Sequence, residues 1–308
     1  MNSPLKVLFF LFAILSLTAC STTKPLTMDL SLEKGAAFDY AITSTNDLGM
    51  SLMGQDLSST GQSNQDISFL VKDVQPTGLT QVDFKVTRMT MDQTVPMVGD
   101  MSFDSSKEDG DSKSPFAGLG GMIGKTMQVN FDRKGKVASI EGADIIMKEV
   151  FEKLKGGAQV SQFLDNYIGE ESFKNIFSNL TGYSQGKPLK VGDTWNKSVS
   201  PKGGMSLVSE YNYTIRERKD GKVTIDVSGQ AKSDPDAEPI ETQGMKISYK
   251  MEGPISGVVV VDEKTGWAIT SDIEQNLDGE LIMGGTPMGD MNLDAKLKIG
   301  VSAKRISE

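Results

Sequence analysis

The chain has 308 residues, with 17 methionines, one cysteine, no histidine and a formal net charge of −9. That acidic balance excludes nucleic acid as a partner, which needs clustered Lys and Arg, and it argues against electrostatic adhesion to anionic lipid headgroups. The missing histidine excludes Ser-His-Asp and Cys-His catalysis and His-based zinc or haem sites, and the lack of any cysteine beyond residue 20 removes thiolate metal sites.

Residues 1–19 divide as a secretory signal does. Lys6 supplies the positive n-region, and Leu5 with Val7 to Leu17 forms an apolar run broken only by Ser16. The run is short for a spanning helix, which needs roughly 20 apolar residues, and no later stretch is long and apolar enough. It closes on Leu17-Thr18-Ala19-Cys20. This tetrad resembles the lipobox of bacterial lipoprotein signals. The resemblance implies cleavage before Cys20, a diacylglycerylated Cys20 thiol and an acylated new amine. Ser21 stands where Asp would favour retention in the inner membrane, so the resemblance implies the outer membrane. It leaves open whether the body faces the periplasm or the outside. Residues 20–36 then read as lipidated cysteine and tether, with Ser21-Thr22-Thr23-Lys24-Pro25 as its polar start.

Residues 37–142 read as a first β-rich half. Phe38 to Ile42, Ile67 to Val71 and Val82 to Val86 alternate apolar and polar side chains. After Arg88, Met89 and Met91 fall on the other parity, which predicts a bulge or a strand covered on both faces. The acidic run around Asp109-Gly110-Asp111 does not fit calcium-loop spacing and reads as a solvated turn. Phe116 to Lys125 is glycine-rich but lacks phosphate-loop spacing. Its Phe116, Leu119, Met122 and Ile123 belong either to an apolar flap or to the core. Methionine suits surfaces that accept varied apolar partners, and it also fills irregular gaps. Met89, Met91, Leu119 and Met122 are therefore candidate contacts for an apolar ligand.

Residues 143–183 read as a helical insert. Met147, Val150, Phe151 and Leu154 form one stripe, stopped by Gly156-Gly157. Val160, Phe163, Leu164, Tyr167 and Ile168 form a second, ended by Gly169, and Phe173, Ile176, Phe177 and Leu180 a third, ended by Gly182. Each stripe must lie on something, and the sheet is the large partner. Phe163 and Phe177 join the candidate ligand contacts.

Residues 184–308 read as a second β-rich half. Val191-Gly192-Asp193-Thr194-Trp195 is similar to segments of uncharacterised, β-rich Gram-negative lipoprotein families, a resemblance that implies a location and a shape but no activity. Tyr211, Tyr213 and Ile215 alternate, Asp220-Gly221 turns, and Val223, Ile225 and Val227 return, which predicts a hairpin. Met245 to Met251 and Leu293 to Val301 continue the alternation. Gln128 to Val137 echoes Val258 to Trp267, each a strand, an Asp-Lys-Gly turn and a returning strand.

The expected fold is α+β: a large curved antiparallel sheet packed by two or three central amphipathic helices, its two β-rich parts either similar halves or alike only through a recurring Asp-x-Lys-Gly turn. Its shape is similar to the half-barrel with helical lid of periplasmic lipoprotein carriers. The leading functional expectation is a non-enzymatic, lipid-anchored envelope protein that binds an apolar ligand or a partner protein between sheet and helices. A scaffolding lipoprotein with a solid core and a two-carboxylate hydrolase are the alternatives. The sequence names no catalytic residue, no metal ligand and no cofactor.

Overall fold

The computed structural model describes residues 25–52, 54–95, 99–107, 116–153, 170–200, 205–242, 245–285 and 289–307. Among them are thirteen strands and two α-helices. In the first half these are β1 (Ala37–Leu52), β2 (Gln55–Val74), β3 (Thr80–Val95), β4 (Gly99–Asp104), β5 (Met127–Phe131), β6 (Val137–Glu141), α1 (Ala143–Lys153) and α2 (Glu170–Leu180). In the second they are β7 (Thr194–Val199), β8 (Leu207–Lys219), β9 (Lys222–Ser233), β10 (Ile240–Thr242), β11 (Met245–Asp262), β12 (Ala268–Gly284) and β13 (Met291–Ser307).

All strands belong to one antiparallel sheet in the order β6-β5-β3-β2-β1-β13-β12-β11-β9-β8-β7, with β4 beside β3 and β10 beside β11. The two sequence halves meet where β1 pairs with β13, from Asp39 opposite Ser307 to Ser51 opposite Asp294. The sheet is curled. β6 and β12 lie six strand spacings apart, about 29 Å along a flat sheet, yet α2, which at eleven residues is about 16 Å long, packs against both.

This overturns the α+β expectation: the fold is an all-β sheet with two short helices. The predicted first and third stripes are α1 and α2, while the second, Val160 to Ile168, lies outside the described residues. The physical reason is the curl. A sheet that bends round on itself buries its concave face largely against its own strands, so helices are needed only at one end.

Alternation decides which face is buried. Phe38, Tyr40 and Ile42 of β1 point inward with Ile67, Phe69 and Val71 of β2 and Val82, Phe84 and Val86 of β3. The predicted bulge is present. Asp66 pairs with Arg88 and Ile67 with Val86, so Thr87 is an extra residue on β3 and Met89 and Met91 return to the concave face. The convex face is charged, with cross-strand pairs such as Lys298–Glu274 at 2.8 Å and Lys296–Asp278 at 3.7 Å. That is the opposite sense to a membrane barrel, whose outward face is apolar.

The concave face holds two separate apolar clusters. The first is aromatic: Phe69, Phe84, Phe131, Phe173, Phe177 and Trp267 meet ring to ring at 4.8 to 6.4 Å between centroids. A strap, residues 25–32, crosses this end of the sheet and buries Leu26, Met28, Leu30 and Leu32. Leu30 N–H donates to Arg133 O and Ser31 N–H to Thr265 O, tying the β5–β6 and β11–β12 turns together. From Leu26 onward the chain is therefore core, and a tether extends no further than Pro25.

The second cluster joins Leu207, Ala231, Met251, Ile255, Leu277, Leu281, Leu293 and Leu297 at the other end. Glycines let the strands bend there. A β-carbon on Gly279 would collide with the Lys250 carbonyl oxygen of the next strand. Gly279→Ala is thus expected to lower stability by about 1–3 kcal/mol in urea unfolding. Gly49→Ala, where the added carbon meets nothing within 4 Å, should not.

Candidate functional site

A polar row separates the two clusters. Reading across the sheet by register, Gln93 of β3 pairs with Gly61, Gly61 with Asn46 of β1, and Asn46 with Ile299. Ile299 pairs with Gln275 of β12, Gln275 with Ile255, Ile255 with Gly229, Gly229 with Tyr211 of β8, and Tyr211 with Lys197 of β7. Five polar side chains thus stand at one height on the concave face.

Burying polar groups without full pairing is unfavourable. Gln275 Nε2 donates to the Tyr211 hydroxyl at 3.1 Å, but its Oε1 is buried without a partner among the described residues. Gln93 Nε2 donates to Ser59 Oγ at 3.1 Å. The amide oxygens of Gln93 and Asn46 converge on the space over Gly61, where a β-carbon would strike both. Gln65, four residues along β2 from Gly61 and paired with Ile42 and Met89 of the first cluster, also buries an unpaired Oε1. Burial pushes the Tyr211 hydroxyl above the usual tyrosine range. Desolvation lowers the Lys197 ammonium below the usual lysine range, and the positive charge of Lys136 acts in the same direction.

The apolar side chains beyond the row are not all covered. Leu48, Met50, Met205, Ile240, Met283 and Ile299 pack on the second cluster while staying half-buried. α2 lies instead on the first cluster, where Phe173, Phe177 and Leu180 are buried.

The predicted contacts fall elsewhere. Met89, Met91, Leu119, Met122 and Phe177 are brought together in the aromatic cluster, each no more than 3% exposed. They lie among the rings and side chains of the buried core. The glycine-rich segment is a short 3-10 helix, Ala117–Met122, that tucks Leu119 and Met122 into the core; it is not a flap. Phe163 and Cys20 lie outside the described residues. Sequence reading missed Gln93, Asn46, Gln275 and Lys197. Their signal was present as polar residues on the buried parity of otherwise alternating strands.

A further concavity of about 1070 Å3 lies at the strap end, lined by Asp29, Arg133, Lys222, Asp262, Glu263 and Arg305 among others. Most of its charges are paired within the protein. Arg305 is stacked 5.6 Å from the Phe38 ring centre and donates to Asp262 at 3.3 Å, and Arg133 donates to Asp29 at 3.1 Å. Arg218 pairs with Glu263.

Comparison with known proteins gives a family. The model of a family of unknown function, DUF6263, matches residues 77–268, so the chain belongs to that family. No curated protein matches. Among solved structures, lipovitellin, described in terms of its lipid–protein interactions, aligns over 90% of this chain at 10% identity and a TM-score of 0.48. This chain spans 26% of the lipovitellin chain. An outer membrane channel from Pseudomonas putida F1 aligns over 90% of this chain and 97% of its own, at 6% identity and a TM-score of 0.25. Likeness at these levels carries no argument about function.

Proposed function

We propose that this member of the DUF6263 family is a lipid-anchored protein of the bacterial outer membrane. It binds an apolar ligand and catalyses no reaction. The ligand lies on the concave sheet beyond the polar row, against the second cluster.

The observation that carries the reading is the contrast between the two ends. One is closed by stacked rings, α2 and the strap; the other keeps half-buried apolar side chains beside the unpaired Gln275 amide oxygen. Places where a sequence breaks the burial pattern without a compensating gain in packing are where function is expected. The charged convex face supports a body hung from a leaflet, and the polar run before Pro25 supports a tether joining it to Cys20.

The test is titration of residues 21–308, which hold the sheet, strap and both helices, with dansyl-undecanoate. Saturable binding is expected, weakened several-fold in Met50→Gln and Ile299→Gln because both half-buried side chains face the ligand. Val191→Gln, at an exposed apolar site elsewhere, should change nothing. A folded protein with no saturable uptake, or uptake unmoved by Met50→Gln and Ile299→Gln, would overturn the reading.

A further inference from the structure

The polar row ends at a seam. β6 and β7 are the two free edges of the sheet. The turn after α2 draws them together: Thr181 Oγ1 donates to Gly135 O, beside β6, at 2.6 Å. A β-carbon on Gly182 would sit 3.9 Å from Lys197 Nζ, on β7. Lys136, next to Gly135, is the charge that acts on Lys197 across this seam.

Lys197 alternates with Trp195 and Val199 on the inward side of β7, and Trp195 stacks on Tyr213 at 5.3 Å. Its ammonium therefore faces the interior. Among the described residues neither the Lys197 nor the Lys136 side-chain ammonium has a hydrogen-bond or ion-pair partner. A lysine serving the C-terminal carbonyls of α2 would donate to one of them; Lys197 does not. An inward-facing ammonium with no hydrogen-bond or ion-pair partner among the described residues, held 3.9 Å from where a β-carbon on Gly182 would sit, fits an anion supplied from outside.

From Lys197 the second cluster runs across Leu207 on β8, Ala231 on β9, Ile255 on β11 and Leu277 on β12. Four strand spacings are about 19 Å, the reach of a long acyl chain.

We infer that the seam receives the anionic head group of a single-chain amphiphile, with Lys197 and Lys136 pairing the carboxylate or phosphate and the chain lying along the second cluster. This rests on the apolar-ligand reading above and adds the ligand's charge and polarity of binding. Lys197 is the donor inside the seam, and Lys136 meets the head group from the solvent side.

Calorimetric titration of residues 21–308 with hexadecanoate, hexadecyl phosphate and hexadecanol tests it. Lys197→Gln should weaken both anionic ligands roughly tenfold, the scale of a lost charge-assisted hydrogen bond, and leave hexadecanol within about twofold. Lys197→Arg should restore most of the loss. Inorganic phosphate alone should not bind at ligand concentrations that saturate hexadecyl phosphate; equal binding would make this a free-anion site and overturn the proposal. An unchanged hexadecanoate affinity in Lys197→Gln would overturn the head-group assignment and leave chain binding standing. Failure of all three ligands to bind the wild type would overturn both.

Discussion

Phe177→Ala is expected to lower folding stability by about 3–5 kcal/mol. Phe177 is wholly buried and meets Phe84 at 4.8 Å, Phe69 and Phe131 at 5.9 Å and Phe173 at 6.4 Å between ring centres. Truncation removes the transfer free energy of the ring and leaves a cavity where four elements pack together. It also frees α2 from β2, β3 and β5 at once, so little collapse can refill the space. Denaturant unfolding measures it. Ile145→Ala, on the exposed face of α1, should change stability by less than about 0.5 kcal/mol. A loss below about 1 kcal/mol for Phe177→Ala would mean that α2 does not close this end. The same arithmetic makes Phe177 a poor probe of ligand binding, because its substitution weakens the whole closed end.

Cys20→Ala, in a form whose apolar signal run has been cut away, is expected to move the protein from the membrane fraction almost completely into the soluble one. The proposed anchor consists of several acyl chains, each buried methylene contributing about 0.8 kcal/mol. One chain alone holds a protein only marginally, whereas several hold it durably. Nothing in the body replaces them: no helix among the described residues is long and apolar enough to cross a membrane, the convex face is charged, and the net charge is −9. Fractionation of cells carrying each form, with mass spectrometry of the N-terminal peptide, makes the measurement. A Cys20→Ala protein that stays fully membrane-bound, or a wild-type peptide free of acyl mass, would refute the anchor.

The strands were legible because half-buried antiparallel strands write their period into the sequence. The Asp220-Gly221 turn is present with both residues at positive φ, 51° and 71°, as the two-residue hairpin between β8 and β9 requires. The echo between Gln128–Val137 and Val258–Trp267 is a shared turn chemistry. Asp132 Oδ1 accepts from the N–H groups of Lys134 and Lys136, and Asp262 Oδ1 from those of Lys264 and Thr265. Both turns then receive the strap.

A curved sheet was expected; what was not legible is how far it curls. Alternation marks which side of a strand is buried but carries no information about what buries it. The expectation of helices as the sheet's covering layer followed from that gap. The strap was hidden for a related reason. Leu26, Met28, Leu30 and Leu32 alternate, but next to a signal and a polar run they read as tether. The methionines of the first half were legible as apolar and illegible as ligand contacts or core, since Met serves both. Only the rings around Phe69 and Phe84 decide for core.

The row from Gln93 to Lys197 became visible through register alone. Its members come from five strands spread between residues 46 and 275, and no local pattern joins them. In the folded sheet they form one line, with packed rings on one side and half-open leucines and methionines on the other. That division gives the sheet a closed end and a half-open one, with the strap at the closed one.

Hydrogen–deuterium exchange of residues 21–308, with and without hexadecanoate, tests this most directly. Exchange should slow in the segments that carry the second cluster, 207–211, 249–255, 277–283 and 293–299, while 67–71, 82–86 and 127–131 around the aromatic rings remain unchanged. Protection centred on the aromatic core or the strap groove, or none anywhere, would contradict the account.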